Sequence, residues 1–212
     1  MLGIALLVVG IVLVHNGILF MSNTKTVTVG ADGKETEKIV PLVVASPKSI
    51  AYFNLIVGAL LVVGNLIMLA FHAPLDLRAG EYGLPSYVIF QNIAAGLVFG
   101  ITYLFIAGNL MLKLDGRSFG IFSIGASVFA IVMIIYNIAQ VDWNGPVSDG
   151  NTFMALAFLW LTWFVLWFSA VLQFTFKMKV MEKVFPYISI AVGVIGAFVP
   201  AILLLTGVWG LL

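Results

Sequence analysis

Three tryptophans in a charge-free run are the side chains best suited to recognise a solute. Trp160, Trp163 and Trp167 follow i, i+3, i+7 spacing, which puts them on one narrow stripe of a helix. Each offers a flat apolar ring and an N–H that needs an acceptor when buried. The stripe therefore has two interpretations, bulky packing at a helix interface or an aromatic slot for a flat, polar, uncharged solute.

Charged and metal-binding groups give no sign of catalysis inside the apolar segments. The nine carboxylates all lie in predicted loops or at predicted helix ends, and the two histidines, His15 and His72, are far apart in the sequence. The chain has no cysteine. Without an intramembrane acid–base pair we expect neither an enzyme nor an ion-coupled transporter, and we expect no metal and no cofactor.

The apolar segments also contain uncharged polar side chains that can form hydrogen bonds, among them Asn16, Asn54 and Thr102. In lipid they need partners within the bundle, so interhelical hydrogen bonds are the first interpretation, with a minority facing water. Charging His15 in hydrocarbon would be costly, and we predict a neutral, hydrogen-bonded imidazole.

The distribution of charge predicts the elements that position these residues. The chain is 62% hydrophobic and 9% charged, which is typical of an integral membrane protein. Six windows lack charge and each is long enough to cross a bilayer. We predict an all-α membrane protein, one channel domain over residues 1–212, with helices at about 2–22, 50–72, 86–110, 118–140, 152–176 and 185–210.

The cations predict the orientation. Nine of the ten Lys and Arg residues fall between helices 1 and 2, 3 and 4, or 5 and 6, and Arg78 is the exception. By the positive-inside rule those three loops are cytoplasmic and both termini lie outside. The net charge of +1 gives no indication of nucleic-acid binding.

The first of these loops contains an insertion. Alternating β-branched residues on both sides of Asp32-Gly33 predict a cytoplasmic β-hairpin at about 24–40. Two interpretations remain, a docking site for a subunit or partner and a solvated excursion.

An internal repeat appears at the start of every second helix. The segments share the order basic, two residues, small or Pro, one residue, bulky apolar, small polar. They are Lys48-Ser-Ile-Ala51-Tyr-Phe53-Asn54, Arg117-Ser-Phe-Gly120-Ile-Phe122-Ser123 and Lys183-Val-Phe-Pro186-Tyr-Ile188-Ser189. Three pseudo-repeated helical hairpins of the same sense can surround an axis, which predicts a pore within the protomer.

Several motifs together resemble one known family. They are Gly10-Ile-Val-Leu13-Val-His-Asn16-Gly17, Phe99-Gly-Ile-Thr102-Tyr103-Leu, Leu114-Asp115-Gly116-Arg117, Trp160-Leu-Thr-Trp163-Phe-Val-Leu-Trp167 and Pro200-Ala201. The sequence resembles the bacterial urea channel and amide transporter family (UreI/AmiS) over nearly its whole length, apart from the 24–46 insertion.

The resemblance implies a homohexamer with central lipid in the bacterial cytoplasmic membrane. It implies passive passage of urea for a cytoplasmic urease, or of short-chain amides for an amidase, and a scaffold without transport is the third hypothesis. It also implies a set of pore-lining residues. These are Leu6, Val9, Leu13, Asn16, Phe99, Thr102, Tyr103, Trp160, Trp163, Leu166 and Trp167.

Two departures from the family pattern concern acid gating. First, Val192 stands where the urease-linked member of the family has a glutamate in helix 6. Second, the outward loops of that member are rich in histidine, whereas this chain has only His72 there. His72 is thus the one candidate pH-sensing residue, and we predict a shallow pH response.

Overall fold

The computed structural model describes residues 2–22, 25–29, 35–39, 46–72, 86–141 and 147–207. Within these residues six spans are long and apolar enough to cross a membrane, which confirms the predicted fold class. The first four are α1 (Leu2–Ser22), α2 (Pro47–His72), α3 (Ser86–Leu112) and α4 (Arg117–Ala139). The fifth is α5 (Val147–Ala170), continued by a π-helical turn (Val171–Thr175). The sixth joins α6 (Lys179–Gly193) to α7 (Val199–Leu205) through a second π-helical turn (Val194–Phe198).

The last span begins about six residues before the predicted start at 185. Its first turns carry Glu182 and Lys183, which the charge-free window left out. Pro186 lies inside this helix. Because proline has no N–H, the hydrogen bond that residue 186 would donate to the carbonyl of Glu182 is missing within the second turn of the helix.

The predicted insertion forms a two-stranded antiparallel hairpin. β1 (Lys25–Val29) pairs with β2 (Glu35–Ile39), from Lys25 opposite Ile39 to Val29 opposite Glu35. The predicted Asp32-Gly33 turn lies outside the described residues.

Three helix pairs form the closest contacts, namely α2 with α3, α4 with α5, and α1 with α6 and α7. Glycines let the backbones approach. A Cβ on Gly58 would lie 2.9 Å from the carbonyl oxygen of Gly100, and a Cβ on Gly10 would lie 2.8 Å from the backbone nitrogen of Phe198. The helices of each predicted hairpin, joined by a basic loop, pack less closely than these pairs.

Burial in α2, α4 and α6 follows the predicted repeat position by position. The basic residues that open the three segments are exposed. The small or Pro positions are buried, and they are Ala51, Gly120 and Pro186. The next positions are exposed, and they are Tyr52, Ile121 and Tyr187. The small polar positions are again buried, and they are Asn54, Ser123 and Ser189. The sequence repeat is therefore a structural repeat.

The ends of α3 and the fifth span repeat as well. Lys113 and Lys177 both adopt the left-handed conformation with φ of 54°. At each helix end the next residue donates its backbone N–H to a carbonyl of the preceding turns. Leu114 donates to Asn109 at 3.0 Å, and Met178 donates to Leu172 at 3.1 Å. The second closure spans one residue more because the π-helical turn adds one.

Candidate solute pore

The faces of α1, α3 and the fifth span that meet in the bundle carry most of the predicted lining residues. Ten of the eleven are buried, and Trp160 is half-buried. In this buried cluster α1 contributes Val9 and Leu13, α3 contributes Phe99 and Tyr103, and the fifth span contributes Trp163 and Trp167. Aliphatic residues of α1 therefore share the cluster with aromatic residues of the other two helices.

An aromatic cluster lies at this meeting point. The ring of Phe99 stands edge-on to Trp163 at 4.3 Å between centroids and stacks on Trp167 at 5.1 Å with an interplanar angle of 24°. Trp163 and Trp167 are 5.9 Å apart. These offset geometries are the favourable ones for aromatic pairs. Trp163 and Trp167 therefore pack together with Phe99 of α3.

Trp160 has a different partner. Its ring meets Phe129 of α4 edge-on at 5.3 Å. The helical rise puts Trp160 ~10 Å along the axis from Trp167. The three-tryptophan stripe is thus divided between the aromatic cluster and the α4 interface.

Hydrogen bonds between helices satisfy the polar groups of Trp167 and of the nearby Tyr103. The Trp167 indole N–H donates to the Thr102 hydroxyl oxygen at 3.2 Å, and that hydroxyl donates to the Val98 carbonyl at 2.8 Å. The Tyr103 hydroxyl donates to the Val9 carbonyl at 3.4 Å. The buried indole of Trp167 has therefore found the acceptor that its burial requires.

A cavity of about 20 Å³ lies beside the cluster. It extends toward the basic face, which we define as the end of the bundle that carries Lys113, Arg117 and Lys177. Its lining includes five predicted residues, Leu13, Asn16, Thr102, Leu166 and Trp167. This volume suits about one water molecule. Passage of anything larger requires side chains to move.

Six further residues line the cavity, and none of them was predicted to line the pore. They are Phe20, Ile106, Phe119, Ala170, Phe185 and Ser189. Phe174 packs edge-on against Phe119 at 5.4 Å and against Phe185 at 5.7 Å. Phe119 and Phe185 each stand two residues after the basic residue of their repeat segment, so the repeat itself carried the signal that would have found them.

A reciprocal amide pair borders the cavity. The Asn16 side-chain N–H donates to the Asn54 oxygen, and the Asn54 N–H donates to the Asn16 oxygen, both at 2.8 Å. Asn54 also donates to the Ile50 carbonyl at 2.9 Å. Both side chains are buried, so this pair joins α1 to α2 within the apolar interior.

Of the two histidines, His15 has a described side chain and His72 does not. His15 Nδ1 is buried and has no hydrogen-bond partner in the described part of the chain, so the predicted hydrogen bond is wrong at this nitrogen. The ring instead meets Phe53 edge-on at 5.1 Å. His72 ends α2, and its side chain lies outside the described residues.

Comparison with known proteins identifies the family. A family model described as "AmiS/UreI family transporter" matches residues 37–208. The chain belongs to the AmiS/UreI family. The match begins within β2, so β1 lies before the part that the AmiS/UreI model covers.

Two relatives show the range of this family. The "Acid-activated urea channel" of Helicobacter pylori (strain ATCC 700392 / 26695) is 30% identical over 222 residues, which cover 99% of this chain and 100% of the relative. A "Putative amidate substrates transporter protein" of Mycolicibacterium smegmatis is 30% identical over 165 residues, which cover 77% of this chain and 67% of the relative.

Two solved structures of the AmiS/UreI family share the fold. The Helicobacter pylori urea channel in a closed state, determined by cryo-electron microscopy, matches with a TM-score of 0.70 and 28% identity over 97% of this chain and 98% of that chain. The crystal structure of the urea channel from the same organism matches with a TM-score of 0.68 and 27% identity over 99% of both chains. The protein is therefore a multi-pass membrane protein of a transporter family.

Proposed function

We propose that the protein is a passive channel for urea in the bacterial cytoplasmic membrane and supplies a cytoplasmic urease. The observation that supports this proposal most directly is the aromatic cluster of Phe99, Trp163 and Trp167, which lies beside a cavity whose described lining has no charged side chain. A flat neutral solute can slide between aromatic faces, whereas an ion would lose its hydration shell without compensation. The similarity to the Helicobacter pylori urea channel supports this solute.

The pore wall is formed by the eleven residues predicted from the sequence. Phe99, Trp163 and Trp167 form its narrow part, and Trp160 continues it on the side away from the basic face. The burial of these side chains between α1, α3 and the fifth span supports the assignment. The small cavity volume corresponds to a closed conformation, which opens by rotation of aromatic side chains.

Short-chain aliphatic amides, taken up for an amidase, are the second candidate solutes. The similarity to the putative amidate substrates transporter of Mycolicibacterium smegmatis favours them. An amide such as acetamide differs from urea by a methyl in place of an amino group. An apolar slot discriminates one methyl group by only ~1–3 kcal/mol, so both solutes fit the same wall.

The assembly is a homohexamer with lipid at its centre and with both termini outside. The exposed apolar face of α2, which includes Leu60, Val63 and Ile67, supports contacts with other subunits or with lipid. The cations at the basic face support a cytoplasmic position for that end. A scaffold that docks partners through β1 and β2 is the alternative without transport.

Urea flux into proteoliposomes tests the channel directly. Purified protein should accelerate urea uptake over empty vesicles and should carry no measurable Na⁺, K⁺ or Cl⁻ current in planar bilayers. Absence of urea and amide flux would leave the scaffold, and a robust ion current would refute the neutral pore.

A further inference from the structure

We propose that the residues that line the cavity form a hydrogen-bonding site for one primary amide group once side-chain movement has enlarged it. In this site Asn16 donates to the carbonyl oxygen of the solute, and Ser189 accepts from its amide N–H. The inference rests on the proposed channel function and adds a residue, Ser189, that determines which solutes are recognised.

Asn16 has one donor left for a solute. A carboxamide has two N–H groups, and among the described contacts of Asn16 one of them donates to Asn54. The Asn16 oxygen accepts from Asn54, and Asn16 lines the cavity. Because the reciprocal pair fixes the plane of this carboxamide, Asn54 is a positioning residue for the remaining N–H.

The two hydroxyl groups of the cavity are left as acceptors. Ser189 donates its proton to the Leu13 carbonyl at 3.0 Å, and Thr102 donates its proton to the Val98 carbonyl. A hydroxyl oxygen has two lone pairs, so the oxygen of Ser189 can still accept, and the oxygen of Thr102 can accept once more beside the indole N–H of Trp167. The cavity therefore presents one donor and two acceptors in an otherwise apolar wall.

This pattern complements a primary amide. The solute carbonyl accepts from Asn16, and the two N–H groups of a solute NH₂ donate to the hydroxyl oxygens of Ser189 and Thr102. A solute with a carbonyl but no N–H leaves the Ser189 hydroxyl oxygen without a donor, whereas Thr102 keeps the indole N–H of Trp167. Recognition by fixed polar groups discriminates such an analogue far better than an apolar wall does.

Ser123 is the matched control for Ser189. It occupies the equivalent position of the repeat in α4, is equally buried, and donates to the Phe119 carbonyl of its own helix at 2.8 Å. It does not belong to the described lining of the cavity. Replacing either serine by alanine removes the same atom from equivalent positions of the repeat, although only Ser189 also loses a hydrogen bond to another helix.

The experiment compares urea flux per folded hexamer and osmotic water flux for the wild type, Ser189→Ala and Ser123→Ala. We expect Ser189→Ala to lower urea flux about ten-fold, the effect of one lost hydrogen bond, and to lower the urea-to-water ratio. Ser123→Ala should stay within about two-fold of the wild type. Equal effects of the two substitutions, or loss of urea and water flux in proportion, would overturn the proposal.

A measurement on the unmodified protein keeps the test independent of folding. Formamide should inhibit urea flux competitively, whereas N,N-dimethylformamide, which has no N–H, should not. Equal inhibition by the two would overturn the amide site. If the wild type passes urea while these results fail, the site is wrong and the channel stands, whereas a wild type without flux refutes the proposed function itself.

Discussion

Trp167 donates its indole N–H to the hydroxyl of Thr102, and this 3.2 Å bond joins the fifth span to α3 inside the bundle. Thr102→Val keeps the side-chain shape and removes the acceptor. A buried donor without a partner costs about 1–3 kcal/mol, so we expect a lower melting temperature in detergent. Thr162→Val is the control, because Thr162 donates to the Leu159 carbonyl of its own helix. Equal melting shifts for the two variants would contradict a structural role for the cross-helix bond.

Trp163 is predicted to form the pore wall. Trp163→Ala should raise the permeability of acetamide relative to urea, because it widens the slot beside Phe99, while the protein still purifies as the same oligomer. Phe168 is a suitable comparison, since it is an exposed aromatic residue one turn along the same helix. Phe168→Ala should leave the flux ratio unchanged. A lower melting temperature with an unchanged ratio in Trp163→Ala would make Trp163 a packing residue.

Close contact between α1 and α6 depends on Gly17. A Cβ at this position would lie 2.7 Å from the Pro186 carbonyl oxygen and 2.5 Å from a side-chain carbon of Ile190. We expect Gly17→Ala to destabilise the folded protein by about 1–3 kcal/mol, the usual cost of overpacking. Gly125→Ala adds the same methyl where nothing lies within 4 Å, so it should be neutral or stabilising. Denaturation in detergent compares the two.

A shallow response to acid is the prediction for His72. Histidine with its unperturbed pKa of ~6.5 titrates between pH 5 and 7.5, and carboxylates with pKa values near ~4 do not. The residues at 73–85 and 142–150 include no further histidine. We expect urea flux at pH 7.5 to be within a few-fold of that at pH 5, in the wild type and in His72→Ala.

The opposite outcome would be activation by acid, as in the acid-activated urea channel of Helicobacter pylori. A channel closed at neutral pH that opens steeply in acid would refute the prediction, and loss of that opening in His72→Ala would assign the sensor to His72.

Charge-free windows and the repeat were sufficient to predict six spans, because the bilayer requires both length and apolarity. Helix pairing was not predictable, since it depends on the fit of side chains such as Gly58 against Gly100 rather than on hydropathy. The two π-helical turns were not predictable either: Val194–Phe198 lies just before Pro200, whose missing N–H removes an i→i−4 hydrogen bond, but Val171–Thr175 has no proline beside it.

The site was predictable in its residue types and less so in its contacts. For Asn16 and Thr102 the sequence predicted interhelical hydrogen bonds first and contact with a solute second, but it did not identify the hydrogen-bond partners. Their main partners, Asn54 and Trp167, are 38 and 65 residues away in the sequence, and no local pattern reports such a pairing. The solute therefore meets polar groups that are already oriented by the protein.

The close contact between α1 and the final span has a consequence for synthesis in the membrane. The first helix to enter the bilayer lacks its tight partner until the last one has been inserted, whereas the α2–α3 and α4–α5 pairs can form along the way. Contacts between the most distant parts of a chain are the slowest to form. Closure of the bundle is thus a late event, and until then Gly10 and Gly17 of α1 are not covered by the final span.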